Sequence, residues 1–425
     1  MNIPQSDLPR VIVVGGGFGG VTLSRKLTKQ NFQVVLIDRH NYHNFQPLMY
    51  QVATSGLEPD SIAFPLRGLV EDRKNFIFRL AEVESVEPVM KTLKTSIGEV
   101  TYDYLVIATG TKTNFFGNTA LEEASLQMKS VPQALNIRSY MLQNLEKATL
   151  TNDTEERKKL MRIVLSGAGP TGVELAGAFA EFKKGVLKND YPDLNPEHME
   201  IHLLDGADRV LVSMSEKASQ KAEKYLKNLG VNVHLNVLVK SYENETVITN
   251  TDLKIEALTF IWSAGVIGNP IKGIKKESID EKSQRFFVDR MNRVEGYEDV
   301  FAIGDIALMK TPEFPKGHPQ VAQPAIQQGK LLIKNFKKLI DRKPLKEFTY
   351  FDKGSMATIG RNKAVADIKS FTLGGFIAWI TWLGVHLYFL VGVRNRLVVF
   401  LNWIYNYFNF DRAARVIIRP YLKKK

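Results

Sequence analysis

The chain contains no cysteine. That absence removes disulfides, thiolate zinc sites and every redox relay that runs through a dithiol or a persulfide. Histidine is scarce too, at 7 residues. The nearest pair, His40 and His43, has no acid completing a ligand set around it, so no metal site is expected and packing or polar contact is the expected role. No charged-then-apolar leader precedes the first apolar run near Arg10, and no segment is of low complexity. Acids are outnumbered, 45 Asp and Glu against 57 Lys and Arg, for a formal net charge of +12. What is present suits a folded protein: 44% hydrophobic and 24% charged residues, over 425 positions that leave room for two or three domains.

One pattern occurs twice. Gly15, Gly17 and Gly20 form a G-x-G-x-x-G directly after the apolar run 11–14, and Gly167, Gly169 and Gly172 form another after 163–165. Each is followed by a helix-like stretch and then a strand ending in an acid, Asp38 in the first copy and Asp205 in the second. The first glycine permits the tight turn, the second lets backbone approach a pyrophosphate, and the third lets helix and strand pack closely. The helix start offers free N–H groups to phosphate, and the acid accepts from ribose hydroxyls. A single copy would fit a glycine-rich turn in any α/β protein. Two complete copies predict two dinucleotides bound at once, a flavin and a nicotinamide one.

Elsewhere the spacing predicts an aromatic- and amide-rich loop over 40–66, a strand pair over 76–86, and a strand running into Ala108-Thr109-Gly110. A connecting helix follows over 134–147, closed by a polar stretch at 151–159. The second unit carries an insertion at 183–199, then a helix at 215–229 and apolar strands at 231–235 and 258–264. Strand 300–303 leads into Gly304-Asp305, and a helix runs from about Pro324 to Ile340. A short β region then extends to about Lys369, and no repeat is evident outside the doubled unit.

Residues 371–393 carry no Asp, Glu, Lys or Arg, a stretch long enough to cross a bilayer. Gly374, Gly375, Thr381, Gly384 and His386 interrupt it, and a second apolar-aromatic run, 397–408, follows Arg394 and Arg396. With Trp379, Trp382, Trp403, Tyr405 and Tyr407 in the two runs, the pair predicts a monotopic anchor lying in the membrane interface. A spanning hairpin and a buried soluble helix pair are the alternatives. From Ser370 onward, Arg394, Arg396, Arg412, Arg415, Arg419, Lys423, Lys424 and Lys425 face Asp411 alone. In such aromatic company this charge points to an anionic bilayer surface and not to nucleic acid.

At this point the residues resemble one family, the type II NADH:quinone oxidoreductases, over about 10–420. The most specific element is Ala322-Gln323-Pro324-Ala325-Ile326-Gln327-Gln328, similar to the family's A-Q-x-A-x-Q-Q quinone-site motif. Ala108-Thr109-Gly110 with Asn114-Phe115-Phe116-Gly117, Trp262-Ser263-Ala264-Gly265-Val266 and Gly304-Asp305 support it. The resemblance implies non-covalent FAD at Gly15, Gly16, Gly17, Phe18, Gly19, Gly20, Asp38, Arg39, Val83, Ala108, Thr109, Gly110, Gly304, Asp305, Ala325 and Ile326. It implies NADH, as substrate, at Gly167, Gly169, Pro170, Thr171, Gly172, Glu174, Asp205, Ala264 and Gly265. Gln323, Gln327 and Trp382 are implied at the quinone, with Glu174 and Gln323 as the catalytic pair. Pro324 suits a helix's first turn, where it has no N–H to lose, and the free N–H groups of Ala325 and Ile326 would face the reduced flavin's N1–C2=O edge. Glu174 reads either as a first-turn acid favoured by the helix dipole or, by resemblance, as facing the nicotinamide–flavin region.

The expected protein is therefore α/β, with two Rossmann-like dinucleotide-binding domains and a C-terminal amphipathic helical membrane anchor. Residues 1–112 and 296–345 would bind FAD, 113–295 NADH, and 346–425 the membrane. The resemblance implies hydride transfer from NADH to FAD, then two electrons to membrane quinone, without proton pumping. The enzyme would sit peripherally on the cytoplasmic side of the cell inner membrane, and self-association as a homodimer stays open. A soluble NADH-dependent reductase of a small iron–sulfur protein is the rival reading.

Overall fold

Strands Arg10–Val14 and Gln33–Asp38 are apolar on both faces, the pattern of parallel strands covered on each side. In the computed structural model they are neighbours in a five-stranded parallel sheet, ordered Val300–Ala302, Tyr104–Ile107, Arg10–Val14, Gln33–Asp38, Phe76–Leu80. Val11, Val13, Val34, Leu36, Val106 and Phe301 belong to a core shared with residues of the helices Phe18–Leu27 and Ala322–Ile340. Ile12, Val14, Val35, Ile37, Leu105 and Ile107 build the core of the opposite face.

The structure describes residues 1–70, 74–369, 371–409 and 414–422. Ser370, Asp411, Arg412, Lys423, Lys424 and Lys425, counted above in the tail, lie outside the described residues. By its contacts the chain forms two units: Met1–His43, Phe64–Lys112 and Val266–Asp352 in the first, Asn44–Ala63, Thr113–Gly265 and Lys353–Lys425 in the second. The return to the first unit thus comes at Val266, well ahead of position 296. Asn269 N–H donates to the Gly110 carbonyl and the Thr109 hydroxyl to the Asn269 carbonyl, which ties this stretch to the end of the first sheet. The segment after 353, expected as a separate region, is part of the second unit because strand Ser355–Gly360 lies against helix Pro170–Phe182. A Cβ at Gly177 would come within 2.4 Å of the Ile359 carbonyl oxygen.

The second unit repeats the first. Its parallel sheet runs Leu126–Gln127, Thr259–Trp262, Ile163–Ser166, Ile201–Asp205, Val231–Leu235. Each unit also holds a three-stranded antiparallel sheet, Val83–Glu87, Thr92–Thr95, Gly98–Thr101 in one and Val239–Glu243, Thr246–Thr249, Lys254–Glu256 in the other. The repeat therefore extends beyond the glycine units to which the sequence confined it. It also corrects the strand pair at 76–86: Phe76–Leu80 joins the parallel sheet and Val83–Glu87 the antiparallel one. The polar stretch at 151–159 is largely helical, Thr154–Met161, because Asp153 caps it by accepting from Glu155 and Glu156 N–H.

The uncharged run 371–393 splits. Phe371–Gly374 is a strand paired with Lys363–Ile368, and Gly375–Phe389 is a helix of 15 residues. At 1.5 Å per residue that helix spans about 22 Å, short of the roughly 30 Å of a hydrocarbon core. No helix among the described residues is long and apolar enough to cross a membrane.

Candidate functional site

Both glycine loops are built alike. Gly15 sits at φ +107°, and a Cβ there would lie 2.3 Å from the Ala108 carbonyl oxygen; Gly167 sits at φ +106°, and its Cβ would lie 2.7 Å from Ala264 Cα. This close backbone approach, with the positive φ, is why glycine stands at the start of each loop. At Gly20 and Gly172 a Cβ would strike the carbonyl oxygens of Gly15 and Gly167, at 1.9 and 1.8 Å. At Gly17 and Gly169 nothing lies within 4 Å of the missing Cβ. Each loop is thus closed toward its sheet and open at its middle glycine, the shape a pyrophosphate needs.

The acids share one bonding scheme as well. Asp38 accepts from Gly16 N–H at Oδ2 (2.6 Å) and from His40 N–H at Oδ1 (2.7 Å). Asp205 accepts from Ala168 N–H at Oδ2 (2.5 Å) and from Ala207 N–H at Oδ1 (2.8 Å). A carboxylate has about four acceptor positions, so each keeps capacity for a ribose hydroxyl while bracing its loop. The cradles therefore fit two dinucleotides. Of the other expected residues, Phe18 starts the first helix and Pro170, Thr171 and Gly172 the second. Gly19 admits Ile303 and the Ala325 carbonyl, while Gly110 and Gly265 turn with positive φ. Arg39 is exposed, and Val83 packs against the first unit's core.

In the first unit Gly304, at φ +75°, turns the chain into Asp305. The Thr111 hydroxyl donates to Asp305 Oδ2 at 3.5 Å, and the Gln320 amide donates to its carbonyl at 3.3 Å. Helix Ala322–Ile340 begins two residues ahead of Pro324. The unpaired first-turn N–H groups are consequently those of Ala322 and Gln323; Ala325 and Ile326, expected to present theirs, sit where intrahelical bonding begins. The three glutamines of the motif also separate. Gln328 is buried, and its Oε1 accepts from Gly304 N–H at 2.7 Å. Gln327 donates to the Phe351 carbonyl (2.9 Å) and accepts from Phe351 N–H (3.0 Å). Gln327 thereby braces the Phe351 backbone. Gln323 is half-buried in the first turn.

Glu174 lies one turn deeper in its helix than the sequence placed it, since Gly169 is the N-cap and no acid occupies the first turn. The dipole falls off within that turn and does not account for it. Its carboxyl is pushed up to about 8 by burial, opposed by a hydrogen bond from the Thr358 backbone and by the approach of the Trp382 indole. That indole N–H is buried and forms no well-aligned bond, so its contact with Glu174 is one of polar proximity. Trp382 itself is buried, with His386, Tyr50 and Trp403 packed around it at ring distances of 4.0, 6.3 and 5.9 Å. Trp403 donates to Gln51, whose amide donates in turn to the Tyr50 hydroxyl. Burial holds the His386 imidazole down at about 4, although its Nδ1 bonds the Trp382 carbonyl at 2.7 Å.

Helix Val393–Asn409 is amphipathic in the inverse sense. Asn395, Asn402 and Asn406 face the protein and bond the Ala63 carbonyl, the Glu58 carboxylate and the Gly56 carbonyl. Arg361 closes its end on the carbonyls of Asn406 and Tyr407. Leu397, Phe400, Leu401, Ile404 and Phe408 are exposed, as are Phe376, Ile377 and Ile380 on the preceding helix. Two basic residues expected to meet lipid are engaged by the protein: Arg415 pairs with Asp190 at 2.7 Å and Arg419 donates to Asn136 at 2.8 Å.

Sequence reasoning assigned no role to Gln328, His386 or Gln51 and did not show the bracing of the glycine loops; apart from the local pairs His386–Trp382 and Gln51–Tyr50, these are contacts between residues distant in the chain. The place of Gln328 in the 322–328 run was the one available signal.

Residues 9–329 match the family model described as pyridine nucleotide-disulphide oxidoreductase, and residues 353–412 the one described as NDH2 C-terminal domain. The chain is 35% identical to the type II NADH:quinone oxidoreductase Ndh of Mycobacterium tuberculosis, over 96% of this chain and 90% of that protein. It is 33% identical to NdhA of the same organism, over 96% and 89%. Its fold matches that of NDH2 from Plasmodium falciparum, solved in complex with NADH, with a TM-score of 0.88 at 23% identity, covering 97% of this chain and all of that one.

Proposed function

The chain belongs to the type II NADH:quinone oxidoreductases and carries electrons from NADH to a quinone; on that footing we propose which residues hold each reactant. The first cradle takes FAD non-covalently, with its pyrophosphate on loop 15–20, its adenosine ribose on Asp38 and its ribityl side toward Asp305. The second takes NADH, with the adenosine ribose on Asp205. When bound, the flavin supplies the redox step, accepting a hydride equivalent and returning two electrons. The observation that carries both assignments is the shared bonding of Asp38 and Asp205 to their loops.

The chain's own residues bind, orient and handle protons. Asp38 and Asp205 fix loops whose open glycines meet phosphate. Gln328 and Thr111 set the turn that presents Asp305. Glu174, neutral up to about pH 8, exchanges a proton near the physiological range. Gln323 donates its amide to the quinone head group. The exposed apolar sides of the two C-terminal helices seat the enzyme on an anionic bilayer, at the inner membrane's cytoplasmic face where NADH is made, so that a hydrophobic quinone need not cross water. A soluble reductase of an iron–sulfur protein would have no use for these faces.

Acid precipitation of the purified protein releases FAD, not FMN, into the supernatant; flavin retained in the pellet, or FMN, overturns the cofactor reading. In stopped flow, NADH bleaches the flavin and a short-chain ubiquinone or menaquinone analogue restores it. Failure of the second phase alone would count against the quinone assignments.

A further inference from the structure

The peptide joining Gly16 to Gly17 is held from one side by a histidine. His43 is 1% exposed, and its Nδ1 lies 2.8 Å from the Gly16 carbonyl oxygen. A carbonyl only accepts, so Nδ1 carries the hydrogen and donates. The ring is fixed further by the edge-on contact with Phe18, centroids 5.1 Å apart at 82°. Nε2 is then a buried lone pair with no partner among the described residues. A second proton would find no acceptor there, and burial keeps the imidazole neutral.

A trans peptide points its C=O and the following N–H in opposite directions, and no described peptide is cis. With the Gly16 carbonyl held by His43, the Gly17 N–H is turned away from His43. Gly17 is the helix N-cap, with no atom within 4 Å of its missing Cβ. The preceding peptide is locked as well, because Gly16 N–H donates to Asp38. Both peptide planes at the middle of the loop are therefore set by side chains.

The second cradle gives an independent comparison. There the equivalent carbonyl, that of Ala168, accepts from Leu211 N–H at 2.8 Å. Leu211 holds a left-handed conformation, φ +51°, while making that bond. The same carbonyl is thus restrained in both loops, by backbone in one and by an imidazole in the other.

Resting on the reading of the first cradle as the FAD site, we infer that His43 is its positioning residue: by holding the Gly16 carbonyl it aims the Gly17 N–H at the flavin dinucleotide's pyrophosphate. It acts through the loop and touches no reacting atom. A leucine at this position would fill the space, leave a buried carbonyl without a donor and free the peptide to rotate. Asparagine would return an N–H near the place of Nδ1.

The test uses the full chain, stripped of flavin and titrated with FAD by fluorescence, and NADH binding is measured on the same samples. His43→Leu weakens FAD binding by roughly ten- to a hundredfold, the loss of one aimed donor and the exposure of an unmet acceptor. His43→Asn restores most of the affinity, and NADH affinity stays within about twofold in both, because the second loop is braced by Leu211. Unchanged FAD affinity in His43→Leu overturns the inference. So does a parallel loss of FAD and NADH affinity with a lowered melting temperature in both variants, which would make His43 a general packing residue. If the wild-type chain itself takes up no FAD, the reading of the cradle fails first.

Discussion

The imidazole of His386 lies on the indole of Trp382, ring centroids 4.0 Å apart and planes 24° from parallel. The same indole approaches Glu174, and burial shifts the two titratable groups in opposite directions, Glu174 up to about 8 and His386 down to about 4. Between those values both are neutral. Trp382 therefore touches an uncharged acid and an uncharged base across the physiological range.

Glu174→Gln should raise stability at neutral pH and lower turnover. From about 4.5, the ordinary carboxyl value, to about 8, the folded chain keeps a proton that the unfolded chain has released. Stability therefore falls as pH rises through that window. Glutamine carries no such cost. The variant's melting temperature should match wild type near pH 4, exceed it by on the order of a few degrees at pH 8, and hold that gap above. NADH:quinone turnover should drop about tenfold or more with the loss of the proton-exchanging group. A melting offset that does not change with pH would show that the carboxyl does not titrate in the window.

His386→Phe tests the other side. A folded value of about 4 against an ordinary 6.5 means that the unfolded chain binds a proton the folded chain refuses. Wild-type stability is thus lost as pH falls from about 6.5 to about 4. Phenylalanine keeps a ring on Trp382 and removes that slope, so the variant should resist mild acid better in melts between pH 4 and 6.

The glutamines of the helix at 322–340 should divide by function. Gln323→Leu should leave flavin reduction by NADH near wild type while slowing reoxidation by quinone. Gln328→Leu removes the acceptor of Gly304 N–H in a buried place and should loosen flavin retention, at a cost of about 1–3 kcal/mol. Stopped-flow half-reactions and flavin content after gel filtration separate the two. If both substitutions slow both half-reactions equally, Gln323 is structural too.

Much of this was legible in the chain. The doubled glycine pattern located both parallel sheets because strand, turn and helix each impose a local spacing on apolar and small residues. The acids Asp38 and Asp205 followed from the same spacing. What stayed hidden depends on contacts between distant segments. Nothing near Gln327 or Gln328 tells that one braces Phe351 and the other Gly304. The strand Phe371–Gly374 was masked by an uncharged run that continues into a helix, since composition alone does not fix where a period of two gives way to one of 3.6. Glu174 was misplaced by one turn because Gly169, and not a later residue, caps the helix.

NADH should be strongly preferred to NADPH. Both oxygens of Asp205 are fixed by backbone N–H groups, so the carboxylate cannot swing away from a 2′-phosphate, and the ribose hydrogen bond is lost as well. Arg209, near in sequence, donates to the Val212 carbonyl. Asp205→Ser should narrow the ratio of kcat/KM values about tenfold or more, chiefly by weakening NADH. Equal efficiency with both nucleotides in wild type would sink the assignment.

Membrane attachment should depend on the exposed apolar faces more than on the basic tail. Removing everything after Lys369 is a blunt test, because it also deletes a paired strand and Trp382. Replacing Arg415 and Arg419 is blunt in another way, since both already bond the protein. Ile377 and Leu401 offer a cleaner one, being 66% and 54% exposed on the two helices. Ile377→Glu with Leu401→Glu places charge where hydrocarbon would lie and leaves the asparagine contacts of the other helix face intact. The doubly substituted protein should keep its melting temperature within a few degrees and its turnover with a water-soluble quinone, yet cease to float with anionic liposomes and lose most activity with a long-chain quinone in them. If it still floats and sustains full turnover on the membrane quinone, these faces are not the anchor.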